Sequence, residues 1–226
     1  MTHTHALVFD WNCTLLDDFQ AMHDCMNIIM DKVGRAAITA DYFRTHYNVP
    51  FEKLYASFGF TADEIDMLVN LDRHIFHHHY EPMADRALLR DGAQEIVERA
   101  AARGVETLIL SNHIVGPIRT QLTRLGIHDR FADVLAYASH DVQFRDMTKG
   151  DKLRLYREKR HVRPEDTIIV GDSVEEIDIA REQGLISVAL TGGCVSEARL
   201  AAAQPDYMIH SLHDLAPILQ ERGFPS

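Results

Sequence analysis

Short apolar runs alternate with helical patterns along most of the chain, and this alternation limits the possible folds more than any other feature. Many residues in the runs are β-branched or aromatic, as is typical of strands buried on both faces of a sheet. The runs cover residues 6–9, 105–110, 131–137, 167–170, 185–190 and 207–209. Because strands that alternate with helices form parallel sheets, we predict an α/β fold with helices on both faces of a parallel sheet.

Helical patterns fill most of the intervals between these runs. One begins after Asp91, a candidate N-terminal cap, and ends at Gly104, a residue type that readily adopts the left-handed conformation closing a helix. The other patterns cover residues 116–125, 149–160, 174–183 and 211–221. Their positions between the predicted strands are those of crossover helices in a parallel sheet.

The segment between the first two strands breaks the alternation, because residues 19–86 contain no convincing strand pattern. Its first helix presents one apolar face and ends at Gly34. The residues of that face are Met22, Cys25, Met26, Ile29, Met30 and Val33. Thr61 and Glu64 form a capping-box pattern that begins another helix, which we expect to reach about Tyr80.

The position of this helical segment defines the predicted domain organisation. It follows the first strand directly, and the strand-and-helix alternation resumes after it. We therefore predict an all-helical cap domain over residues 19–86, inserted into a core domain formed by residues 1–18 and 87–226.

Net charge and cysteine content limit the partners and the compartment. The formal net charge of −11 disfavours general binding to nucleic acid, whose phosphates it repels. The three cysteines are too few and too scattered for a disulfide framework, which fits a reducing compartment. The N-terminus lacks the pattern of a secretory signal, and no apolar run approaches the ~20 residues of a membrane span. We expect a cytoplasmic protein that binds neither nucleic acid nor membrane.

Polar residues that carry chemistry follow several of the predicted strands. Asp10 follows the first strand, Ser111 and Asn112 follow the second, and Asp172 follows a later one. The carboxyl ends of parallel strands meet at one edge of a sheet, where ligands bind in such folds. Carboxylates that converge there repel each other unless a hard divalent cation such as Mg²⁺ lies between them. The Ser111 hydroxyl and the ammonium group of Lys149 suit phosphate oxygens.

Four of these segments together resemble the motifs of the haloacid dehalogenase superfamily. The stretch VFDWNCTLLDD resembles the first motif, hhDxDGTLxDS, and LILSN resembles the second. Lys149, in MTKGDKL, occupies the position of the third-motif lysine, and IIVGDSVEEIDIA resembles the fourth motif, GDSxxDIxAA. The closing stretch PDYMIHSLHDL is also similar. The resemblance covers essentially the whole chain, and it is closest to the phosphoglycolate phosphatase-like branch, which has a Rossmann-like core and a helical C1-type cap.

The resemblance implies a Mg²⁺-dependent phosphatase that acts on a small phosphorylated metabolite. Asp10 is then the nucleophile that forms an aspartyl phosphate. The implied Mg²⁺ ligands are Asp10, the backbone carbonyl of Asn12, and Asp172, and Glu176 acts on the metal directly or through water. The implied phosphate-binding residues are Ser111, Asn112 and Lys149.

Two residues of the first motif depart from the family pattern. Asn12 stands where family phosphatases have a general acid–base aspartate, and a carboxamide cannot exchange a proton at neutral pH. Cys13 stands where the motif has glycine, so we expect a local adjustment of the turn. Asn12 leaves two alternatives open. One is a phosphonoacetaldehyde hydrolase-like enzyme that cleaves a carbon–phosphorus bond with Lys32 or Lys53 as Schiff-base lysine. The other is a catalytically weakened phosphate-binding or regulatory protein.

Other candidate residues have less specific signals. His74 and His78 have the spacing of two metal ligands on one helical face, within a cluster of four residues, His74, His77, His78 and His79. A solvated helix end, or one that faces the core domain, is the favoured interpretation of this cluster. His113 is an even choice between a residue facing the cleft and an ordinary loop histidine. We interpret Glu175 as a solvated residue of a first helical turn.

Overall fold

A single parallel sheet organises the protein. The computed structural model describes residues 4–68, 75–139, 142 and 147–225. Within these residues, six parallel strands lie in the order β3-β2-β1-β4-β5-β6. The strands are β1 (Ala6–Phe9), β2 (Glu106–Ile114), β3 (Asp133–Tyr137), β4 (Thr167–Gly171), β5 (Ile186–Leu190) and β6 (Tyr207–Ile209). The predicted parallel α/β fold is confirmed.

Helices cover both faces of this sheet. Those that follow β1 are α1 (Phe19–Lys32), α2 (Ala40–His46), α3 (Phe51–Ser57), α4 (Ala62–Asp66), α5 (Ile75–Ala84) and α6 (Ala93–Ala102). Those that follow β2 are α7 (Val115–Arg124), α8 (Lys149–Arg160), α9 (Val174–Gln183), α10 (Glu197–Ala202) and α11 (Leu215–Glu221). Leu7 and Phe9 of β1 share one hydrophobic cluster with residues of α6, α7 and α11, while Val8 shares another with residues of α8 and α9. Successive side chains of a strand point to opposite faces, so β1 is buried on both.

Helices α1 to α5, which follow β1, pack around a hydrophobic cluster separate from those of the sheet. Met22, Met26 and Ile29 of α1 contribute to it together with Phe43 of α2 and Tyr80 of α5. Helix α1 therefore buries the apolar face that its sequence pattern predicts, and Val33 at its end is only partly buried. The division into a core domain and a cap domain at residues 19 and 86 stays a prediction.

Two helix predictions differ from the structure. The α6 helix is preceded by Gly92 in a left-handed conformation (φ 81°) and has no side-chain cap, so Asp91 is not its cap. A Cβ at position 92 would lie 2.8 Å from the backbone nitrogen of His213, so this close approach excludes larger residues. The capping box of Thr61 and Glu64 is present at the start of α4. The predicted continuation of this helix to Tyr80 crosses residues 69–74, which lie outside the described residues. His74 is one of them.

Strand β2 continues beyond its predicted end at residue 110. Its pairing with β3 shifts register between Leu110 and Ile114, and the backbone stays extended across this irregularity. Ser111, Asn112 and His113 therefore lie within the strand rather than after it. Among the described residues, none of the helices combines the length and the apolar character that a membrane crossing requires.

Candidate active site

The side chains predicted from the strand ends meet in one cleft at the carboxyl edge of the sheet. The cleft has a volume of about 380 Å³ and lies beside the ends of β1, β2 and β4. Its lining includes each side chain predicted to act at the site: Asp10, Asn12, Ser111, Asn112, Lys149, Asp172 and Glu176. The order of the strands explains this meeting, because β1 lies between β2 and β4.

Lys149 lies at the centre of the charged groups. Its Nζ is 2.8 Å from Oδ1 of Asp10, and it also donates a hydrogen bond to Oε1 of Glu176. Oε2 of Glu175 is 3.9 Å from the same Nζ. Burial lowers the pKa of Lys149, but the surrounding carboxylates outweigh burial and hold the pKa above its ordinary value. The ammonium group therefore stays charged. Lys152, three residues further along α8, instead lies over the ring of Tyr137.

Asp172 is held by donors from two separate loops. Its Oδ1 accepts a hydrogen bond from the Thr14 hydroxyl (3.0 Å), and its Oδ2 accepts one from the backbone N–H of Cys194 (2.6 Å). Burial and the charge of Glu176 raise the pKa of Asp172 to about 6 despite these hydrogen bonds. A Cβ at Gly193 would lie 2.5 Å from the Cβ of Asp172, so this glycine leaves the space that the aspartate occupies.

Glu176 accepts a hydrogen bond from Lys149 and is almost fully buried. Its Oε2 accepts hydrogen bonds from the backbone N–H (3.1 Å) and the hydroxyl (2.7 Å) of Ser173. The bond from the backbone N–H belongs to the capping box of α9. A Cβ at Gly171 would lie 2.6 Å from Cδ of Glu176, so glycine is needed there too. The carboxylate thus orients Lys149 and closes the helix terminus. A direct or water-mediated role at a metal stays a prediction.

Ser111 and Asn112 form the β2 side of the cleft. Ser111 is 1% exposed, and its Oγ accepts a hydrogen bond from the backbone N–H of His113 (3.0 Å). Nδ2 of Asn112 donates to Oε2 of Glu175 (2.5 Å). The interpretation of Glu175 as a solvated residue is therefore wrong. Its side chain is partly buried because the strand residue Asn112 and Lys149 both reach it.

Asn12 is held by a buried network that sequence reasoning missed. Its Nδ2 donates to Oδ2 of Asp18 (2.9 Å) and to the hydroxyl of Tyr80 (2.6 Å), and that hydroxyl donates in turn to Asp18. Burial raises the pKa of Asp18, which these hydrogen bonds only partly offset. The sequence contained one indication of this network, because residue 18 is aspartate where the first family motif ends in serine. Tyr80, far away in the chain, gave none.

Cys13 adopts a left-handed backbone conformation (φ 57°), which glycine reaches more readily than other residues. The expected local adjustment of the turn stays a prediction. The left-handed conformation costs about 1–2 kcal/mol for a residue with a Cβ. Three contacts hold the turn: Cys13 N–H donates to Asp18, its carbonyl accepts from Arg90, and its thiol contacts that of Cys194.

A second cavity of about 480 Å³ adjoins the cleft. The two share Asn12, Tyr47, Val49 and Asn112 in their linings. Most of the other residues around the second cavity are apolar or aromatic and belong to α1, α3 and α5. His77 and His113 also line it, so His113 faces this space and is not an exposed loop residue.

Comparison with known proteins gives consistent matches. Residues 7–190 match the sequence profile of the family described as haloacid dehalogenase-like hydrolase. The phosphoglycolate phosphatase of Rhodospirillum rubrum is 24% identical over 196 residues, which cover 83% of this chain and 80% of that protein. The phosphoglycolate phosphatase of Escherichia coli is 28% identical over 152 residues, which cover 67% of this chain and 59% of that protein. The chain thus matches less than two thirds of the second relative's length.

A solved structure supports the fold. A haloacid dehalogenase-like hydrolase from Streptococcus pneumoniae superposes with a TM-score of 0.81 over 97% of this chain and 100% of that chain. Its sequence identity of 23% is low, so this similarity bears on the fold alone.

Proposed function

The chain belongs to the haloacid dehalogenase-like hydrolase family, and from this premise we propose that it is a Mg²⁺-dependent phosphatase of a small phosphorylated metabolite. Membership of the family and the named relatives support a phosphatase in the broad sense. The observation that carries the finer proposal is the pairing of Asp10 with Lys149 at 2.8 Å, in a cleft that Ser111 and Asp172 also line. This cleft combines a nucleophile, an ammonium group and a hydroxyl group around a space for a phosphoryl group.

The proposed reaction has two displacement steps. A carboxylate oxygen of Asp10 attacks phosphorus, and the bond from phosphorus to the leaving oxygen breaks as an aspartyl phosphate forms. Water then attacks this intermediate, which releases phosphate and restores the Asp10 carboxylate. Lys149 and the Ser111 hydroxyl stabilise the negative charge on the phosphoryl oxygens in both steps.

The donor atoms at the cleft fit a hard divalent cation. Asp10 and Asp172 contribute carboxylate oxygens, and Asn12 contributes a backbone carbonyl, which are the ligands that Mg²⁺ prefers. Burial and the charge of Glu176 raise the pKa of Asp172, and a bound cation would offset both effects. When bound, Mg²⁺ neutralises charge on the phosphoryl oxygens as the nucleophile approaches.

The adjoining apolar cavity is where we place the leaving group. It opens from the cleft beside Asn12 and Asn112, and apolar side chains of the helical insert, Met22, Leu54 and Phe76, line its far side. Its apolar and aromatic lining suits a small organic group. The insert therefore sets substrate specificity in this proposal.

The carbon–phosphorus hydrolase alternative has weaker support. It needs a lysine of the insert beside the phosphoryl group as a Schiff base. Lys32 and Lys53 are both exposed, and neither lines the cleft or the apolar cavity. Borohydride trapping with an aldehyde substrate distinguishes the two reactions, because only the Schiff-base route leaves a reduced lysine adduct.

A substrate panel tests the proposed function. Phosphate release is measured for phosphorylated metabolites of different leaving groups, with and without Mg²⁺. Metal-dependent release from at least one member supports the proposal. If the purified protein binds phosphorylated compounds but releases no phosphate from any of them, it is a binding or regulatory protein.

The metal proposal predicts that EDTA abolishes activity and Mg²⁺ restores it. Asp172→Asn should raise the Mg²⁺ concentration required for half-maximal activity at least tenfold, because a charged oxygen ligand is lost. Asp178→Asn is the matched control, since Asp178 is exposed and pairs with Arg181 on the outer face of α9. Activity that persists in EDTA would contradict the metal proposal.

The space around Asp172 gives a second prediction about the metal. Gly193→Ala places a methyl group where the Asp172 side chain lies, so the carboxylate must move. We expect Mg²⁺ affinity to fall about 10–100-fold, the range for lost support of a metal ligand. Gly116→Ala, which meets no atom within 4 Å, is the control. Equal Mg²⁺ dependence of activity in the two variants would show that Asp172 does not need this space.

A further inference from the structure

Three potential metal ligands meet where the helical insert contacts the sheet, outside the catalytic cleft. His77 and Glu81 lie one turn apart on α5, and His113 belongs to β2. Oε1 of Glu81 is 3.2 Å from Nδ1 of His77 and 3.1 Å from Nε2 of His113. One ligand atom from each residue lies within 4.8 Å of the other two. The two imidazole rings stack with their centroids 5.5 Å apart.

Hydrogen bonds satisfy only part of this cluster, because Nδ1 of His77 bonds to Oε1 of Glu81 (3.2 Å) but the imidazole of His113 is left over. Among the described residues, neither ring nitrogen of His113 has a hydrogen-bond partner, although this side chain is only 6% exposed and its Nε2 lies close to Glu81. Oε2 of Glu81 is also buried without a partner. Buried polar groups without partners are uncommon and call for an explanation such as an ion or a water molecule.

The distances between the ligand atoms suit a small metal ion. With zinc–ligand bonds of ~2.0–2.2 Å, the ligand atoms of a tetrahedral site lie roughly 3.3–3.6 Å apart. The two contacts of Glu81 Oε1, at 3.2 and 3.1 Å, are slightly shorter than this range. Nε2 of His113 lies this close to Oε1 of Glu81 without forming a hydrogen bond to it, as is expected of two ligand atoms that share a metal ion.

We propose that His77, Glu81 and His113 form a binding site for a first-row transition metal ion such as Zn²⁺. Two imidazoles and one carboxylate form a donor set typical of zinc sites that keep a fourth position open. Imidazole nitrogen distinguishes this site from the oxygen-only Mg²⁺ site of the cleft, because Mg²⁺ prefers oxygen ligands. The inference does not depend on the proposed phosphatase activity.

Such a site would join α5 to β2. His113 follows Ser111 by two residues on the same strand, and its backbone N–H already bonds to the Ser111 hydroxyl oxygen. A bound metal therefore restrains both the helical insert and the strand segment that carries the predicted phosphate-binding residues. His77 and His113 line the apolar cavity, so the open position is available to a water molecule or a ligand there.

Co²⁺ is the probe for this site, because cobalt in a site of four or five ligands gives intense visible absorption bands. The apoprotein is titrated with Co²⁺ in the presence of excess Mg²⁺, which occupies the oxygen site. We expect one Co²⁺ per chain with such bands, and a rise in thermal stability on binding. Glu81→Gln and His113→Gln should each weaken Co²⁺ binding about 100-fold or more, beyond the range for loss of an outer-shell partner.

His78→Ala is the matched control, because His78 is an exposed histidine of the same helix. This variant should bind Co²⁺ as the unaltered protein does. The melting temperatures of the metal-free variants show whether each is folded. Glutamine has nearly the shape of glutamate, so Glu81→Gln should disturb the packing little. If Co²⁺ does not bind, or binds equally to Glu81→Gln and His113→Gln, the proposal is wrong.

A competing metal site is distinguished by its spectrum. Cys13, Asp172 and Cys194 also bring ligand atoms within 4.8 Å of one another. Cobalt bound there would show thiolate charge-transfer bands in the near ultraviolet that Cys13→Ser and Cys194→Ser abolish. Those bands, with no dependence on Glu81, would place the metal between the cysteines and overturn the proposal.

Discussion

Asp10→Asn is expected to lower kcat by on the order of 10⁴–10⁶-fold, the scale observed when a covalent nucleophile is removed. The amide has nearly the shape of the carboxylate but lacks its nucleophilic charge. It also removes the charge that faces Lys149 at 2.8 Å, so the variant should stay folded but lose the proposed intermediate. Turnover is measured with the best substrate of the panel under saturating Mg²⁺.

Asp17→Asn is the matched control for this substitution. Asp17 lies in the same motif segment but is exposed, so the same chemical change should leave kcat within about twofold. Rapid acid quenching followed by hydroxylamine cleavage detects the aspartyl phosphate in the unaltered protein and should detect none in Asp10→Asn. Substantial phosphate release by Asp10→Asn, free of contaminating phosphatase, would refute the covalent role of Asp10.

Asn12 leads to the second prediction, a strong dependence of rate on the leaving group. General acid–base catalysis contributes about 10²–10⁴-fold, or roughly 3–5.5 kcal/mol of activation free energy. Asn12 cannot protonate the leaving oxygen, so aryl and acyl phosphates should react far faster than alkyl phosphates. Hydrolysis of the aspartyl phosphate should also be slow, because no carboxylate at position 12 activates water. An initial burst of product should therefore precede steady turnover.

The structure shows why Asn12→Asp, which restores the aspartate of the family motif, should increase alkyl phosphate hydrolysis only a little. It places a carboxylate where the amide nitrogen now lies 2.9 Å from the buried carboxylate of Asp18. Two like charges in a buried site raise each other's pKa, so one of them stays protonated. The double variant Asn12→Asp with Asp18→Asn exchanges the amide and the carboxylate and keeps the total charge. We expect it to speed alkyl phosphate hydrolysis about 10²–10⁴-fold, and more than the single variant does.

The decisive measurement is kcat/KM as a function of leaving-group pKa in the unaltered protein, the single variant and the double variant. In the unaltered protein, kcat/KM should fall steeply as the leaving-group pKa rises, and this dependence should become shallow in the double variant. The single variant Asp18→Asn should keep the steep dependence. A flat dependence in the unaltered protein would mean that another residue protonates the leaving group. His113, which lines the adjoining cavity, is the first candidate for that role, and His113→Gln would test it.

The sheet was predictable because each strand and helix has a local signature. The run of β1 and the pattern of α8 predict both elements at their observed bounds, since burial on both faces and helical periodicity depend only on nearby residues. Strand β2 was predicted too short, because its continuation to Ile114 depends on pairing with β3 across a register shift. The cap of α6 was assigned to Asp91 because the contact between Gly92 and His213 joins segments far apart in sequence.

The residues of the cleft were predictable for a related reason. A polar residue directly after a buried parallel strand must lie at one edge of the sheet, so Asp10 and Asp172 could be assigned before their distances were known. Lys149 lies at the start of a helix, where sequence position fixes its place at the sheet edge less firmly, and the family resemblance supported its assignment. The interpretation of Glu175 failed, because its partner Asn112 lies 63 positions away in the chain.

The sequence by itself determined the α/β fold, the presence of helices after β1 and the chemical groups of the cleft, because periodicity and strand-end position are properties of neighbouring residues. Only the tertiary structure decided how these groups are partnered. It placed Asp18 and Tyr80 around Asn12, put Asp172 in the space left by Gly193, and brought His77 and Glu81 to His113. These contacts join the insert to the sheet or one loop to another. They arise from packing of elements that are distant in the chain, and no local pattern of residues specifies them.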